Sequence, residues 1–251
     1  MVTRNNFDSY WLEPNNGKIY SKFECHSVKE KNNSRNKILP HLKHAILDHH
    51  IHLKRIDLIK KLGFVNSAEY ICNLLPTNDR TRKGNLGEVI ACEHLCQRYG
   101  FSLPIFKLRY MDNPDMPMRG EDIIALEFNG QGNIQKICIG EAKTISTYRS
   151  STVTSAHSRL LTACIDYPRS LPLISSILCD MQEYHLASQI ESLIANPFQD
   201  TITRENWIFL ITDNNPKDAF KPVEDSNEVV DELKVVHLRL KNLADFINKI
   251  F

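Results

Sequence analysis

The stretch Asp122–Thr144, DIIALEFNGQGNIQKICIGEAKT, decides the fold. Two runs rich in branched aliphatic residues, DIIALEF and IQKICIG, flank NGQGN, whose glycines supply the positive φ that a tight reversal needs, so the segment predicts a β-hairpin. Its second strand ends on Glu141-Ala142-Lys143. Side chains alternate in an extended chain, so Glu141 and Lys143 project from one face. Asp122 opens the partner strand with 18 residues between it and Glu141, and closing the hairpin brings the two carboxylates together. Side by side they repel, and a hard divalent cation such as Mg2+ or Mn2+ relieves this by taking oxygen ligands from both. A lysine beside such an ion can orient or deprotonate a water and stabilise charge developing on a phosphate.

Upstream, GNLGEVIACEHLCQRYG at 84–100 has the apolar spacing of a helix stopped by Gly100, with Leu86, Val89, Ile90 and Leu95 on its packed stripe. Glu88 then falls in the first or second turn, where its carboxylate can serve the metal's water or a second ion; the plainer reading is complementarity to the helix dipole. Further out, GKIYSKFECH at 17–26 alternates like a strand, and KEKNNSRN at 29–36 is a polar linker with Asn36 as a cap. Residues 37–62 predict one or two helices stopped by Gly63, and 66–75 a short one. PTNDRTRK at 76–83 is the clearest break, dividing a mixed N-terminal extension (1–79) from the main domain (80–251). Beyond it, FSLPIFKLRY predicts extended chain and MDNPDMPMRG a loop. Residues 152–165 and 169–196 predict helices, the second interrupted near Pro172. NWIFLIT (206–212) predicts a buried strand, KVVHLRL (234–240) an alternating one, and LADFINKIF a terminal helix. The segment 213–232, with seven acids against two lysines, predicts a solvated loop.

With 42% hydrophobic and 24% charged residues over 251 positions, the chain has the composition of a folded domain with ample core. Disorder and low complexity are excluded for its bulk. The net charge of +1 is unevenly spread: residues 1–83 hold 15 basic and 8 acidic side chains, and the remainder 16 and 22. The first third can face an anion, the rest a cation. Seven scattered cysteines predict free thiols in a reducing compartment. No run approaches a membrane span and the N-terminus has no apolar signal core, so the expectation is a soluble, cytoplasmic protein. Outside the hairpin, Arg80, Arg82 and Lys83 are candidates for nucleic-acid or partner contact, and Arg149, His157 and Arg159 for phosphate contact; solvated helix charge is the alternative for each. His41, His44, Asp48 and His52 suit a polar helix face better than a zinc site, and Cys92 and Cys96 suit packing.

Helix Glu, strand Asp, then Glu-x-Lys is an order that resembles the PD-(D/E)XK, or restriction-endonuclease-like, superfamily. TRKGNLGEVIACEHLC (81–96), MRGEDIIAL (118–126) and IGEAKT (139–144) resemble more specifically the HamA family of the Hachiman anti-phage system. The resemblance implies an α/β or α+β core, a mixed sheet flanked by helices, carrying an Mg2+- or Mn2+-dependent deoxyribonuclease that works with HamB, a superfamily 2 helicase. It implies that Asp122, Glu141 and the carbonyl of Ala142 are metal ligands, Lys143 the catalytic lysine and Glu88 the helix glutamate. One departure stands out: Glu121, not proline, precedes Asp122, while a literal Pro114-Asp115 lies seven residues earlier. Asp122 is preferred because a strand end fixes a ligand better than a loop. The alternative function is a nuclease-fold subunit that mainly binds and regulates a helicase.

Overall fold

A computed structural model describes residues 7–64, 66, 69, 74–116, 118–165, 167–196 and 201–251. The hairpin forms as expected: β3 (Ile123–Phe128) and β4 (Ile134–Ile145) pair antiparallel, Ile123 opposite Gly140 and Ala125 opposite Cys138. Together with β1 (Leu12–Pro14), β2 (Glu24–Glu30), β5 (Thr203–Thr212) and β6 (Leu233–Arg239) they build one six-stranded sheet in the order β1-β2-β6-β5-β4-β3. The four inner strands run parallel and both edge strands antiparallel, so the architecture is a mixed α/β sheet with helices on both faces.

Period-2 alternation sorts the strand side chains between the two helical layers. Trp207, Phe209 and Ile211 of β5 and Cys138 and Ala142 of β4 pack on one face, against α1 (Phe7–Trp11), α2 (Arg35–His50), α4 (Asp79–Tyr99) and α9 (Leu243–Ile250). Ile208, Leu210, Ile137 and Ile139 pack on the other, against α5 (Ser150–Ile165), α6 (Leu171–Asp180) and α7 (Tyr184–Ala195). Helix α3 (Leu53–Lys61) forms a small satellite around Ile51 and Ile56. β6 is therefore not the half-exposed strand its alternation predicts; lying between β2 and β5 under two helix layers, Val235, Val236, His237 and Leu238 are all buried.

Several local expectations are corrected. The N-terminal strand is Glu24–Glu30 rather than 17–26: Tyr20 and Phe23, which create the apparent alternation, instead anchor a loop against Phe220, while Ile19 is 92% exposed. The polar stretch 29–36 is a link only over residues 31–34, its ends belonging to β2 and α2, with Ser34 rather than Asn36 preceding α2. Residues 37–62 do divide in two, at Ile51-His52, and Gly63 sits at φ 79°. The helix expected at 66–75 falls largely outside the described residues. Helix α4 begins not at Gly84 but at Asp79, because the Asn78 side chain accepts from Thr81 N at 2.8 Å; Gly100, at φ 76°, ends it as expected. The stretch 101–110 is extended only at the Ser102–Leu126 bridge, then forms a 3-10 helix, Lys107–Tyr110. The long helix from 169 breaks at Gln182 (φ 63°) between α6 and α7; Pro172 stands in the first turn of α6, where its missing N–H costs nothing. Residues 213–232 are not simply solvated: α8 (Lys221–Glu224) and its approach bury Ala219, Phe220 and Val223.

Candidate metal and active site

Three elements meet at the carboxyl end of β4. The hairpin register sets Asp122, the residue just before β3, across from Glu141, and the Asp122 carboxylate accepts from Ala142 N at 2.9 Å. Lys143 Nζ lies between the acids, 2.6 Å from Glu141 Oε2 and 3.0 Å from Asp122 Oδ2, and donates its third hydrogen bond to the Ala142 carbonyl at 3.2 Å. Glu141 is buried at 2% exposure and also meets Arg159 on α5, 3.3 Å away and itself largely exposed. Three hard oxygens thus converge on one cationic atom.

The electrostatics follow from that crowding. Burial, then the neighbouring Asp122 charge, pushes the Glu141 carboxyl above the ordinary glutamate range against the pull of Lys143 and Arg159. For Lys143 burial opposes the charged form, but the two carboxylates prevail and its affinity for the proton rises. Glu88 is raised to about 7, by burial first and by Asp122 and Glu141 in addition, with Lys107 and Lys143 pulling the other way. It stands ten residues into α4, in the third turn, deeper than a helix start at Gly84 predicts. Among the described residues no three His, Cys, Asp or Glu side chains stand together at ligand spacing, so the donor set is two carboxylates and a backbone carbonyl. Their convergence on the Lys143 ammonium is the observation that fits a hard divalent cation, which prefers such oxygens.

Close approach of α4 to β4 is what brings Glu88 within electrostatic reach. Gly87 makes it possible: a Cβ there would overlap Thr144 Oγ1. The alternative aspartate does other work. Asp115 accepts from Thr77 N, Thr77 Oγ1 and the Asn78 backbone and side-chain amides, tying the loop to the start of α4.

The remaining candidates scatter. Arg149 and Arg80 are exposed, and Lys83 is half-buried. Arg82 is a structural strap, with Nε 2.9 Å from the Pro76 carbonyl and its guanidinium over the Phe251 ring. His157 is buried and accepts from Val230 N, so it faces the core rather than a phosphate. Asp48 pairs with Arg109 at 2.6 Å, and Cys92 is buried with its thiol pushed up by burial. Sequence reasoning missed Lys107, which donates to the Glu121 carbonyl beside Asp122, and the clamp around Glu121 itself; neither has a local signal. A cavity of about 520 Å3 beside Trp11 and Lys37 is lined by His41 but by none of the hairpin-site residues.

Comparison with known proteins supplies the relationship. A family model described as HamA matches residues 3–251. The Hachiman protein HamA of Bacillus cereus is 31% identical over 159 residues, which is 63% of this chain and 56% of that protein, so the match spans little more than half of the curated relative. With nearly its whole length matched, the chain belongs to the HamA family.

Proposed function

We propose that this chain is a metal-dependent DNA nuclease, the effector subunit of an anti-phage complex whose partner is a HamB-like superfamily 2 helicase. Family membership supports the defence role, and one observation carries the chemistry: Asp122, Glu141 and the Ala142 carbonyl converge on a single cationic position. Those oxygens would hold Mg2+ or Mn2+, which when bound supplies Lewis acidity toward a phosphodiester and acidifies water. Lys143, whose proton is held more tightly than usual, serves as a donor that orients water and offsets phosphate charge rather than as a base. Glu88, poised near neutrality, is the side chain suited to exchange a proton at working pH. Arg159, mostly exposed, can trade Glu141 for a backbone phosphate.

The net acidity of residues 84–251 argues that DNA affinity comes from elsewhere, because nonspecific binding depends on cations that displace condensed counterions. The helicase would supply DNA tracking and hold the nuclease inactive until an aberrant DNA structure is met. Two measurements test the reading. Lys143→Ala should keep its circular dichroism spectrum and lose at least about 100-fold in Mg2+-dependent cleavage, the scale of one positioned catalytic group. The isolated chain should cleave duplex DNA far more slowly than the complex. Undiminished cleavage by folded Lys143→Ala removes the catalytic assignment, and equal rates with and without the helicase remove the control.

A further inference from the structure

The residue where the superfamily pattern has proline is clamped through both its main chain and its side chain. Glu121 is 6% exposed, and its carboxylate accepts from two successive backbone amides at the entry to α6, Arg169 N and Ser170 N, each at 3.0 Å. Its own N–H donates to Ser170 Oγ at 3.1 Å, and its carbonyl accepts from Lys107 Nζ. Gly120, at φ 88°, lies so close to Ser170 that a Cβ would overlap the hydroxyl. Main chain and side chain of the residue preceding Asp122 are thus fixed from the helix α6 side and from the 3-10 helix.

We infer that Glu121 is a positioning residue for the metal site: its clamp holds the Asp122 carboxylate opposite Glu141, the rigidity a proline would otherwise lend. The inference rests on the metal-site reading above. A buried carboxylate with two amide donors is costly to leave half-satisfied, so such a clamp has one geometry. Asp122 follows by one peptide unit, too short a lever for its carboxylate to keep its place if Glu121 shifts. Groups that orient ligands from behind in this way typically change metal affinity or activity 10–100-fold when lost.

A matched comparison separates positioning from mere stabilisation. Asp213, just past the end of β5, makes the same kind of bond at the entry to α9, accepting from Asn242 N and Leu243 N at 3.0 Å each. Glu121→Gln and Asp213→Asn each set an amide against one backbone donor and should both lower Tm, the first more because its bonds are the more buried. Mn2+ affinity, read from the electron paramagnetic resonance signal of free Mn2+ without DNA, should fall at least about 10-fold in Glu121→Gln and less than about twofold in Asp213→Asn. Glu121→Asp, which retains the charge with a shorter reach, should recover part of the loss. Wild-type affinity in Glu121→Gln, or an equal loss in Asp213→Asn, overturns the inference while leaving the metal site intact. A wild-type chain that does not bind Mn2+ overturns the metal-site reading itself and the inference with it.

Discussion

Placing Ala at position 87 tests how the helix that carries Glu88 is seated. The added Cβ would lie 3.5 Å from Thr144 Cβ and 3.9 Å from Ala142 Cβ, both ordinary contacts, but would overlap Thr144 Oγ1. Threonine is stiff at χ1, so relief requires either a poor rotamer beside Lys143 or displacement of α4 from β4. Overpacking of this kind costs about 1–3 kcal/mol, although Ala alone would favour the helix by roughly 1 kcal/mol over Gly. Thr144 Oγ1 is buried and has no hydrogen-bond partner among the described residues, so removing it should cost little. Gly87→Ala should therefore lose stability while Thr144→Ala stays near wild type. The double variant should recover to wild type or slightly above, with a coupling energy of about 1–3 kcal/mol. Urea unfolding of the four proteins gives the cycle, and metal-dependent cleavage should follow the same pattern because Glu88 and Lys143 adjoin the two positions. If the cycle shows no coupling between the two substitutions, the helix is not seated by this contact.

Three further outcomes follow from the structure. Mg2+ or Mn2+ should support cleavage and EDTA should abolish it, whereas Ca2+ should occupy the same oxygens without turnover; full activity in excess chelator would exclude the proposed donor set. Acid should destabilise the fold through His50 and His237, each lowered from 6.5 to about 4, chiefly by burial. Between those values the unfolded chain binds more protons, so stability present above pH 6.5 is lost as pH falls toward 4, by about 3 kcal/mol per imidazole. Equal urea resistance at pH 7 and 4.5 would refute this. Reversing Arg80 and Lys83 to Glu, leaving the Arg82 strap intact, should weaken helicase co-purification or DNA binding without changing Tm by more than a degree or two, and unchanged binding of both would remove this surface from the interface.

The hairpin and the juxtaposition of Asp122, Glu141 and Lys143 were legible because they are local: a glycine turn, β-branched runs and a two-residue alternation place the three within one supersecondary unit. Helix α4 was legible in type and in its Gly100 stop, but not in its start, since Asn78 capping competes with the glycines at 84 and 87 that suggest a later one. Gly87 turned out to serve contact with β4, not helix initiation. The β6 pattern misled because exposure depends on which strands lie beside it, a long-range fact. Glu121 could be seen as a departure from the superfamily pattern, but its partners at 169–170 and 107 are joined to it only by folding.

The order of the sheet also constrains when the protein can become active. β2 has no neighbour in the central sheet until β6 exists, and Glu24 pairs with Lys234 across some two hundred intervening residues. At roughly 5–20 residues per second a ribosome needs about 10–40 s to bridge that gap. Late in that interval the hairpin residues 122–144 have been synthesised, yet the strand that joins the two ends of the sheet has not. The last strand therefore acts as a keystone in time as well as in space: a nascent or truncated chain can carry Asp122, Glu141 and Lys143 before it has the closed scaffold that holds them in place. On the proposed nuclease reading, that delay leaves a window in which a partner can engage the chain before it is competent to cut.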